Sequence, residues 1–211
     1  MKFDGLIFDM DGVIVDVSKS YREVIRITAG YFLNREVTEM EVSNIKNKVG
    51  MNNDWDTTYA LINSKKFSYK KVKAYFQSIY LGNKRRSGLI TKESLLITRA
   101  QFLKLKNKYN KLGIATGRPK EEADYVIFNN QLENIFDCIV ALEDVKRGKP
   151  FPDSINKVIT TLQLKNTVYI GDSPSDILAA KAAGIPSIYI GKQNIGTIRF
   201  LSVAKAMEYL L

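Results

Sequence analysis

The sequence predicts an α/β protein with a Rossmann-like, doubly wound parallel sheet core and an inserted all-helical cap domain. After residue 88, short apolar runs alternate with helical patterns, which is typical of a parallel sheet covered on both faces. One apolar run, residues 2–8, comes before a long helical stretch, so the core is discontinuous along the chain. We expect a catalytic core of residues 1–15 and 85–211 and a cap of residues 16–84.

Two segments of the predicted cap carry apolar residues at three- and four-residue spacing, which indicates amphipathic helices. They span residues 21–32 and 72–80. Ser68 is a suitable N-cap for the second helix, because its hydroxyl can accept a bond from a free backbone N–H group. Residues 81–88 have the composition of a linker and are expected to close the cap.

The second part of the core alternates between strands and helices. Strands are predicted at residues 112–116, 139–142, 167–171 and 187–190, and helices are predicted to begin near Pro119, Pro152 and Pro174. This order gives a parallel sheet with helical crossovers.

Composition narrows the class of protein. The chain has 211 residues, of which 45% are apolar and 26% charged, and this is enough to bury a core without disulfides. The single cysteine, Cys138, has no internal partner, so we expect a reducing, cytoplasmic environment. The absence of histidine excludes Ser-His and Cys-His triads and imidazole zinc sites. No stretch approaches the roughly 20 apolar residues that span a bilayer, so no membrane association is expected.

The net charge of +10 is concentrated between residues 57 and 92. A solvated basic face explains this excess, and so does a patch that steers anionic substrates. Charge alone does not choose between them.

Four polar clusters follow four of the predicted strands. They are Asp9 with Asp11, residues 116–118, Lys149 with Pro150, and residues 171–176. In an open parallel sheet, ligands bind beyond the carboxyl ends of the strands. Turns and helix caps explain each cluster singly, whereas four clusters at four strand ends indicate an active site.

The residue types in these clusters suit phosphoryl transfer. Asp9 and Asp172 would repel each other unless a cation lies between them, and hard oxygen ligands suit Mg²⁺. Thr116 and the N–H group of Gly117 come just before a helix N-terminus, which favours an anion. Lys149 can hold both a phosphate and a nucleophilic carboxylate.

A second carboxylate, Asp11, lies two residues after Asp9. It can protonate a leaving oxygen and later deprotonate water. A carboxylate nucleophile that forms an aspartyl-phosphate is an established solution to this reaction.

The clusters resemble the four motifs of the haloacid dehalogenase-like superfamily. The matching segments are residues 8–16, 115–118, 148–150 and 171–176. The key positions are separated by 107 residues from Asp9 to Thr116, 33 from Thr116 to Lys149 and 23 from Lys149 to Asp172. A helical insert between the first two motifs is similar to the cap of one branch, which includes phosphoglycolate phosphatase-like enzymes and β-phosphoglucomutase.

The resemblance implies a role for each position. Asp9 would be the nucleophile, and Asp11 would be the general acid/base and offer its backbone carbonyl to the metal. Asp176 would reach metal-bound water or support the metal ligands. The implied catalytic residues are Asp9, Asp11, Thr116 and Lys149, and the implied Mg²⁺ ligands are Asp9, Asp11, Asp172 and Asp176.

Asp11 also separates the reactions of the superfamily. Dehalogenase and phosphonate-cleaving relatives lack an acid at its position, so the resemblance favours hydrolysis of a small phosphate monoester. We expect a small phosphorylated metabolite as the partner and a monomer or homodimer. Gly117 and Arg118 are candidate substrate contacts, although Arg118 can instead pair with Glu121 or Glu122.

Residues 49–56 resemble, in position, the cap loop that descends over the active site in this branch. Asn52, Asn53 and Trp55 are therefore candidate substrate contacts, with helix capping and packing as their structural alternatives. The segment offers no arginine suited to gripping a second phosphate.

Three alternatives to a small-molecule phosphatase stay open. A sugar phosphomutase of the β-phosphoglucomutase type shares every core residue. The basic cap suggests a nucleic-acid end phosphatase, which strong salt dependence on oligonucleotides would reveal. A non-catalytic binding protein is the third alternative, and loss of the nucleophile or of a metal ligand would favour it.

Overall fold

The computed structural model describes residues 3–46, 53–83 and 86–211. The chain divides into two compact units: the first is Met1–Asp16 with Leu95–Leu211, and the second is Val17–Ser94. Two short strands, β2 (Val15–Asp16) and β5 (Ser94–Leu95), lie where the chain passes from one unit to the other. The second passage lies ten residues beyond the position expected at 84/85, and Leu89 and Ile90 in the intervening segment are buried. The roles of the two units as catalytic core and cap stay a prediction.

The first unit is built on a parallel sheet. Its strands are β1 (Gly5–Phe8), β6 (Lys111–Ala115), β7 (Cys138–Val140), β8 (Thr167–Gly171), β9 (Ser187–Ile190) and β10 (Ile198–Phe200). Their spatial order is β10-β9-β8-β1-β6-β7. The strand that comes first in the chain thus lies near the centre, with a strand from later in the chain on each side.

Helices flank this sheet and cover both of its faces. Successive side chains of a strand point to opposite faces. Ile7 therefore packs with Ile155 and Ala179 in one cluster, whereas the ring of Phe8 contacts that of Phe102 with centroids 5.8 Å apart. Burial on both faces explains why the central strands are apolar runs rather than alternating patterns.

Five helices of the first unit lie within the described residues. They are α5 (Arg99–Lys108), α6 (Lys120–Asn129), α7 (Asp153–Leu162), α8 (Pro174–Ala182) and α9 (Val203–Leu210). Thr98, Ser173 and Ser202 accept bonds from backbone N–H groups and so begin α5, α8 and α9. A 3₁₀ turn, Leu142–Asp144, follows β7.

The second unit is largely helical. Its elements are α1 (Tyr21–Leu33), α2 (Glu39–Lys46), α3 (Asp54–Ile62), α4 (Tyr69–Tyr80), a short antiparallel pair of β3 (Gly82–Asn83) and β4 (Arg86–Ser87), and a 3₁₀ helix, Leu89–Lys92. Aromatic residues fill its core: the rings of Tyr21 and Tyr80 stack 4.5 Å apart. The hydroxyl of Tyr80 donates to Glu93 at 2.9 Å, which satisfies a buried polar group.

The structure confirms the predicted fold class. All five apolar runs predicted as strands, including residues 2–8, are strands whose ends lie within three residues of those expected. The Ser68 hydroxyl accepts a bond from the N–H group of Lys71 at 3.3 Å, as expected of an N-cap. β10 and α9 were not predicted from the sequence. β10 extends the sheet beyond β9 at its edge, and α9 follows β10 along the chain.

None of the helices in the described segments has both the length and the apolar character needed to cross a membrane.

Candidate active site

Three adjacent strands end at one edge of the sheet. β1 pairs in parallel with both β6 and β8, so Phe8 lies level with Ile114 and Ile170. The N–H group of Asp9 donates to the carbonyl of Ile170 at 2.8 Å, which keeps the chain in register beyond β1. Residues that follow β1, β6 and β8 therefore begin at the same edge, where ligands bind in open parallel sheets.

A tight turn follows β1 and brings the first motif to the fourth. Gly12 has φ of +68°, a left-handed conformation that favours glycine. A side chain at Gly12 would also collide with the carboxylate of Asp172. Glycine at this position thus lets the chain turn while Asp172 stays close to it.

Lys149 joins two carboxylates from different strand ends. Its Nζ atom lies 2.7 Å from Oδ1 of Asp9 and 2.6 Å from Oδ1 of Asp176. The Lys149 side chain is 11% exposed and those of Asp9 and Asp176 are 8% and 1% exposed. Buried charges are stable when they are paired and hydrogen-bonded, so these three residues form one electrostatic unit.

Tyr169 is a further contact of Lys149, and the sequence pattern does not indicate it. Its hydroxyl accepts a bond from Nζ of Lys149 at 2.9 Å and lies 3.0 Å from both Oδ1 of Asp176 and the carbonyl of Ala115. Tyr169 lies inside the apolar run of β8, so the sequence pattern indicates a core residue. Its hydroxyl could have indicated a contact with a polar group, because a tyrosine in a fully buried strand needs a polar partner.

The pKa values in this unit follow from burial and charge. Burial raises the pKa of Asp9 well above its usual range, Asp176 raises it further, and Lys149 lowers it. Burial also raises the pKa of Asp176, but the Lys149 ion pair and the Ser173 hydrogen bonds outweigh this, so it is lowered overall. Burial lowers the pKa of Lys149, whereas its two carboxylate partners raise it above the usual value. A divalent cation beside Asp9 would favour the ionised form that a nucleophile requires.

Three carboxylates can hold such a cation. Asp9, Asp172 and Asp176 each offer an oxygen within 4.8 Å of the others. Both oxygens of Asp176 already accept hydrogen bonds, Oδ1 from Lys149 and Oδ2 from Ser173. Asp176 is therefore better suited to supporting the cluster than to serving as its main ligand. A small set of hard oxygen donors fits a magnesium-type site.

The side chain of Asp11 points to a different partner. Its Oδ1 atom accepts a bond from Nε of Arg118 at 2.5 Å. Its predicted contribution to the metal site uses the backbone carbonyl and stays a prediction. For Arg118, the structure gives an ion pair with Asp11, and its predicted contact with substrate also stays a prediction.

The second motif presents donors that suit a phosphate. Thr116 Oγ1 accepts a bond from the N–H group of Arg118 at 3.1 Å, so its own proton can be donated elsewhere. Apart from its two chain neighbours, no heavy atom of the described residues lies within 4 Å of the position that a Cβ atom at Gly117 would occupy. The roles of Thr116 and Gly117 in binding a phosphoryl group stay predictions.

Two of the three candidate substrate contacts of the second unit, Asn53 and Trp55, have partners within that unit. The Asn53 side chain accepts a bond from the N–H group of Trp55 at 2.8 Å and so begins α3. The Trp55 ring is largely buried, its Nε1 donates to Gln77 at 3.2 Å, and Lys73 Nζ lies 3.4 Å from its ring centroid. Asn52 lies outside the described residues. The proposed substrate contacts of all three stay predictions.

Comparison with known proteins identifies the class to which this fold and site belong. The family model of the haloacid dehalogenase-like hydrolases matches residues 6–190. Since the match covers most of the chain, the protein belongs to the haloacid dehalogenase-like hydrolase family. The relatives to which it is similar include proteins named as phosphatases.

Three relatives illustrate the match. The phosphorylated carbohydrates phosphatase of Thermotoga maritima is 30% identical over 212 residues, which cover 97% of this chain and 89% of that protein. The pyrophosphatase PpaX of Anoxybacillus flavithermus is 33% identical over 100 residues, 44% of this chain and 46% of the relative. The imidazoleglycerol-phosphate dehydratase of Phytophthora nicotianae is 31% identical over 189 residues, but those residues are 85% of this chain and 41% of the longer relative.

Solved structures show the same fold. A candidate phosphoglycolate phosphatase from Lactobacillus plantarum matches with a TM-score of 0.77 and 17% identity, covering 100% of both chains. A candidate β-phosphoglucomutase from Thermotoga maritima matches with a TM-score of 0.74 and 25% identity, covering 98% of both chains. The resemblance to this branch of the superfamily is thus confirmed at the level of the fold.

Proposed function

We propose that this protein is a Mg²⁺-dependent phosphatase that hydrolyses a small phosphate monoester through a phosphorylated Asp9. The observation that carries the proposal is the position of Lys149, whose ammonium group contacts Asp9 and Asp176 beside Asp172. Asp9, Asp172 and Asp176 repel one another when they are ionised, so a metal cation in addition to Lys149 is needed to keep all three carboxylates ionised. The pairing also fixes the direction of the Asp9 carboxylate.

Asp9, Asp172 and Asp176 would hold Mg²⁺, with Asp176 in a supporting role. The bound ion supplies positive charge that stabilises the transferring phosphoryl oxygens. Lys149 orients Asp9 and offers a proton donor to a phosphoryl oxygen. Thr116 and the N–H group of Gly117 bind the phosphoryl group at the beginning of α6, where the helix dipole favours an anion.

Asp11 is the general acid/base in this proposal. In the first step Asp9 attacks phosphorus, and protonated Asp11 gives its proton to the leaving oxygen. In the second step the Asp11 carboxylate takes a proton from water, which attacks the phosphorus and releases Asp9. A positioned acid/base of this kind contributes about 10²–10⁴-fold to the rate.

A phosphorylated carbohydrate is the substrate class that the comparisons favour, because the relative covering nearly the whole chain acts on such compounds. Pyrophosphate is the second candidate, because the PpaX relatives are pyrophosphatases. Either substrate presents a terminal phosphoryl group to Asp9.

The test is a phosphate-release screen of the purified protein with sugar phosphates, phosphoglycolate and pyrophosphate, each with Mg²⁺ and with EDTA. We expect release from at least one compound, lost in EDTA and restored by added Mg²⁺. The Asp9→Asn variant is the matched control, because it preserves the shape of the side chain and removes the nucleophilic charge.

Release that persists in the Asp9→Asn variant would contradict the proposal. A phosphorylated second sugar formed without net release of phosphate would instead identify a phosphomutase. Activity confined to oligonucleotide ends, with strong salt dependence, would identify a nucleic-acid phosphatase.

A further inference from the structure

Arg118 has an unusual environment for an arginine. Its side chain is 1% exposed, and it is among the largest fully buried side chains of the chain. A guanidinium group cannot lose its charge in a protein, so its burial requires close acceptors. Arg147, which also pairs with an aspartate, is 58% exposed.

The buried guanidinium group of Arg118 contacts the carboxylate of Asp11, which is itself partly exposed. Its Nε atom donates to Oδ1 of Asp11 at 2.5 Å, and the Asp11 side chain is 36% exposed. Among the described residues, this is the one hydrogen bond that the Asp11 side chain makes. The hydrogen bond with Arg118 therefore fixes Oδ1 of Asp11, while Oδ2 can face the candidate active site.

Both backbone polar groups of Arg118 are hydrogen-bonded. Its N–H group donates to Thr116 Oγ1 at 3.1 Å, and its carbonyl accepts a bond from Leu142 at 2.8 Å. The base of the side chain is therefore tied to the strand end that carries the predicted phosphate donors. A fixed base and a buried stem let the guanidinium set the direction of Asp11.

We propose that Arg118 is a positioning residue for Asp11, which holds Oδ1 so that Oδ2 faces the reacting phosphoryl group and carries the proton in both steps. This inference rests on the proposed function, in which Asp11 is the general acid/base. It gives Arg118 a task within the reaction that differs from contact with the body of the substrate.

The proton balance defines what Arg118 should affect. In the first step the bond from phosphorus to the leaving oxygen breaks, the bond to Asp9 forms, and the proton on Asp11 Oδ2 passes to an alkoxide leaving group. A nitrophenolate leaves as a stable anion and needs no proton. In the second step water loses a proton to Oδ2 whichever ester was used, its oxygen bonds to phosphorus, and the bond from Asp9 to phosphorus breaks.

A misplaced Asp11 should therefore slow different steps with an aryl ester and with an alkyl ester. With p-nitrophenyl phosphate, the first step stays fast and the second becomes slow. With an alkyl ester such as glycerol 1-phosphate, both steps become slow. Loss of a substrate contact would instead raise KM, and general destabilisation would lower both activities equally.

The experiment follows product formation by stopped flow and by phosphate release for Arg118→Met, Arg118→Lys and the wild type with Mg²⁺. Arg147→Met is the matched control, because it removes an exposed arginine from its pair with Asp153. Thermal melting of each variant reports whether it folds. Arg118→Lys keeps a positive charge in the buried position, so it supplies the test if Arg118→Met does not fold.

We expect the Arg118 variants to release about one equivalent of nitrophenolate per enzyme in a rapid burst and then to turn over slowly. Turnover of the alkyl ester should fall about 10²-fold in Arg118→Met, the lower end of what a general acid/base contributes, and less in Arg118→Lys. Arg147→Met should behave like the wild type. KM for the alkyl ester should change little, and KM for p-nitrophenyl phosphate should fall in the Arg118 variants, because slow release of Asp9 accumulates the phosphorylated enzyme.

Equal losses on both esters without a burst, or a rise in KM with kcat unchanged, would overturn the assignment of Arg118 while leaving the proposed function intact. Wild-type protein that hydrolyses neither ester nor any compound of the phosphate-release screen would overturn the proposed function and this inference together.

Discussion

The two units of the chain use their predicted functional residues in different ways. In the first unit, Asp9 and Asp176 follow different strands of the sheet, and both contact Lys149, which follows a third strand. In the second unit, Asn53 begins a helix and Trp55 is packed among its neighbours. Motifs that follow strands are brought together by the sheet, whereas Asn53 and Trp55, at the beginning of α3, have no such constraint. The contrast predicts that variants of the first unit alter chemistry and that variants of the second alter stability or substrate choice.

Removal of the central ammonium should have the largest effect. We expect Lys149→Met to abolish phosphatase activity and to lower the free energy of unfolding by about 3–5 kcal/mol, because two buried carboxylates lose their partner. Phosphate release and urea denaturation measure the two effects. Lys157→Met is the control, since Lys157 pairs with Asp144 at an exposed position; it should cost less than about 1 kcal/mol. If Lys149→Met turns over substrate as fast as the wild type, Lys149 has no role in the reaction.

Removal of one proposed metal ligand should have the next largest effect. We expect Asp172→Asn to raise the Mg²⁺ concentration for half-maximal activity by about tenfold or more. Changing a residue that only supports a metal ligand commonly costs about 10–100-fold in metal affinity or activity, and changing a ligand should cost at least as much. Calorimetric titration with Mg²⁺ checks the binding without relying on turnover. Asp153→Asn, which breaks an exposed pair with Arg147, is the control. Identical titrations for Asp172→Asn and the wild type would reject Asp172 as a ligand.

Loss of the Tyr169 hydroxyl should have a moderate effect. Lys149 keeps both carboxylates in Tyr169→Phe but loses one of its acceptors. We expect kcat to fall about tenfold, equivalent to about 1.4 kcal/mol of transition-state stabilisation, with a smaller change in KM. Tyr109→Phe is the matched control, because it removes another buried hydroxyl, which donates to Leu210 away from the site. Equal kcat values in the two variants would show that the Tyr169 hydroxyl does not position Lys149.

The smallest effect is expected in the second unit. Asn53→Ala removes an N-cap and should destabilise the protein by about 1 kcal/mol. Asn53→Asp keeps an acceptor and should stay close to the wild type in thermal melting. The same pair of variants tests the predicted substrate contact: a changed order of preference among sugar phosphates would support it, and unchanged preference with lower stability would leave capping as its role.

The fold was largely accessible from the sequence. Five strands and most helices followed from apolar runs and helical spacing, because central parallel strands are buried on both faces. The strand β10 and the helix α9 were missed. β10 has three residues, and the exposed Arg199 interrupts its apolar pattern. A short edge strand of this kind carries a weak signal.

The residues of the candidate site could be predicted from the sequence, but the contacts between them could not. Asp9, Lys149 and Asp172 stand after strands, so their approach to one edge followed from topology. Two features became visible only in the structure. One is the contact of the Tyr169 hydroxyl with Lys149, because a tyrosine within an apolar strand is typical of the core, and the other is the pairing of Arg118 with Asp11. That pair joins side chains 107 positions apart, and sequence spacing alone did not distinguish it from a pair with a nearby glutamate.

The most direct test of the account is to find the phosphoryl group on the protein. The Asp11→Asn variant should slow the second step, so p-nitrophenyl phosphate should leave it phosphorylated when the reaction is stopped with acid. Peptide mass spectrometry should then show one phosphoryl group on Asp9, removable by hydroxylamine, and none when Asp9→Asn is added. A phosphoryl group on any other residue, or turnover by Asp9→Asn, would contradict Asp9 as the nucleophile.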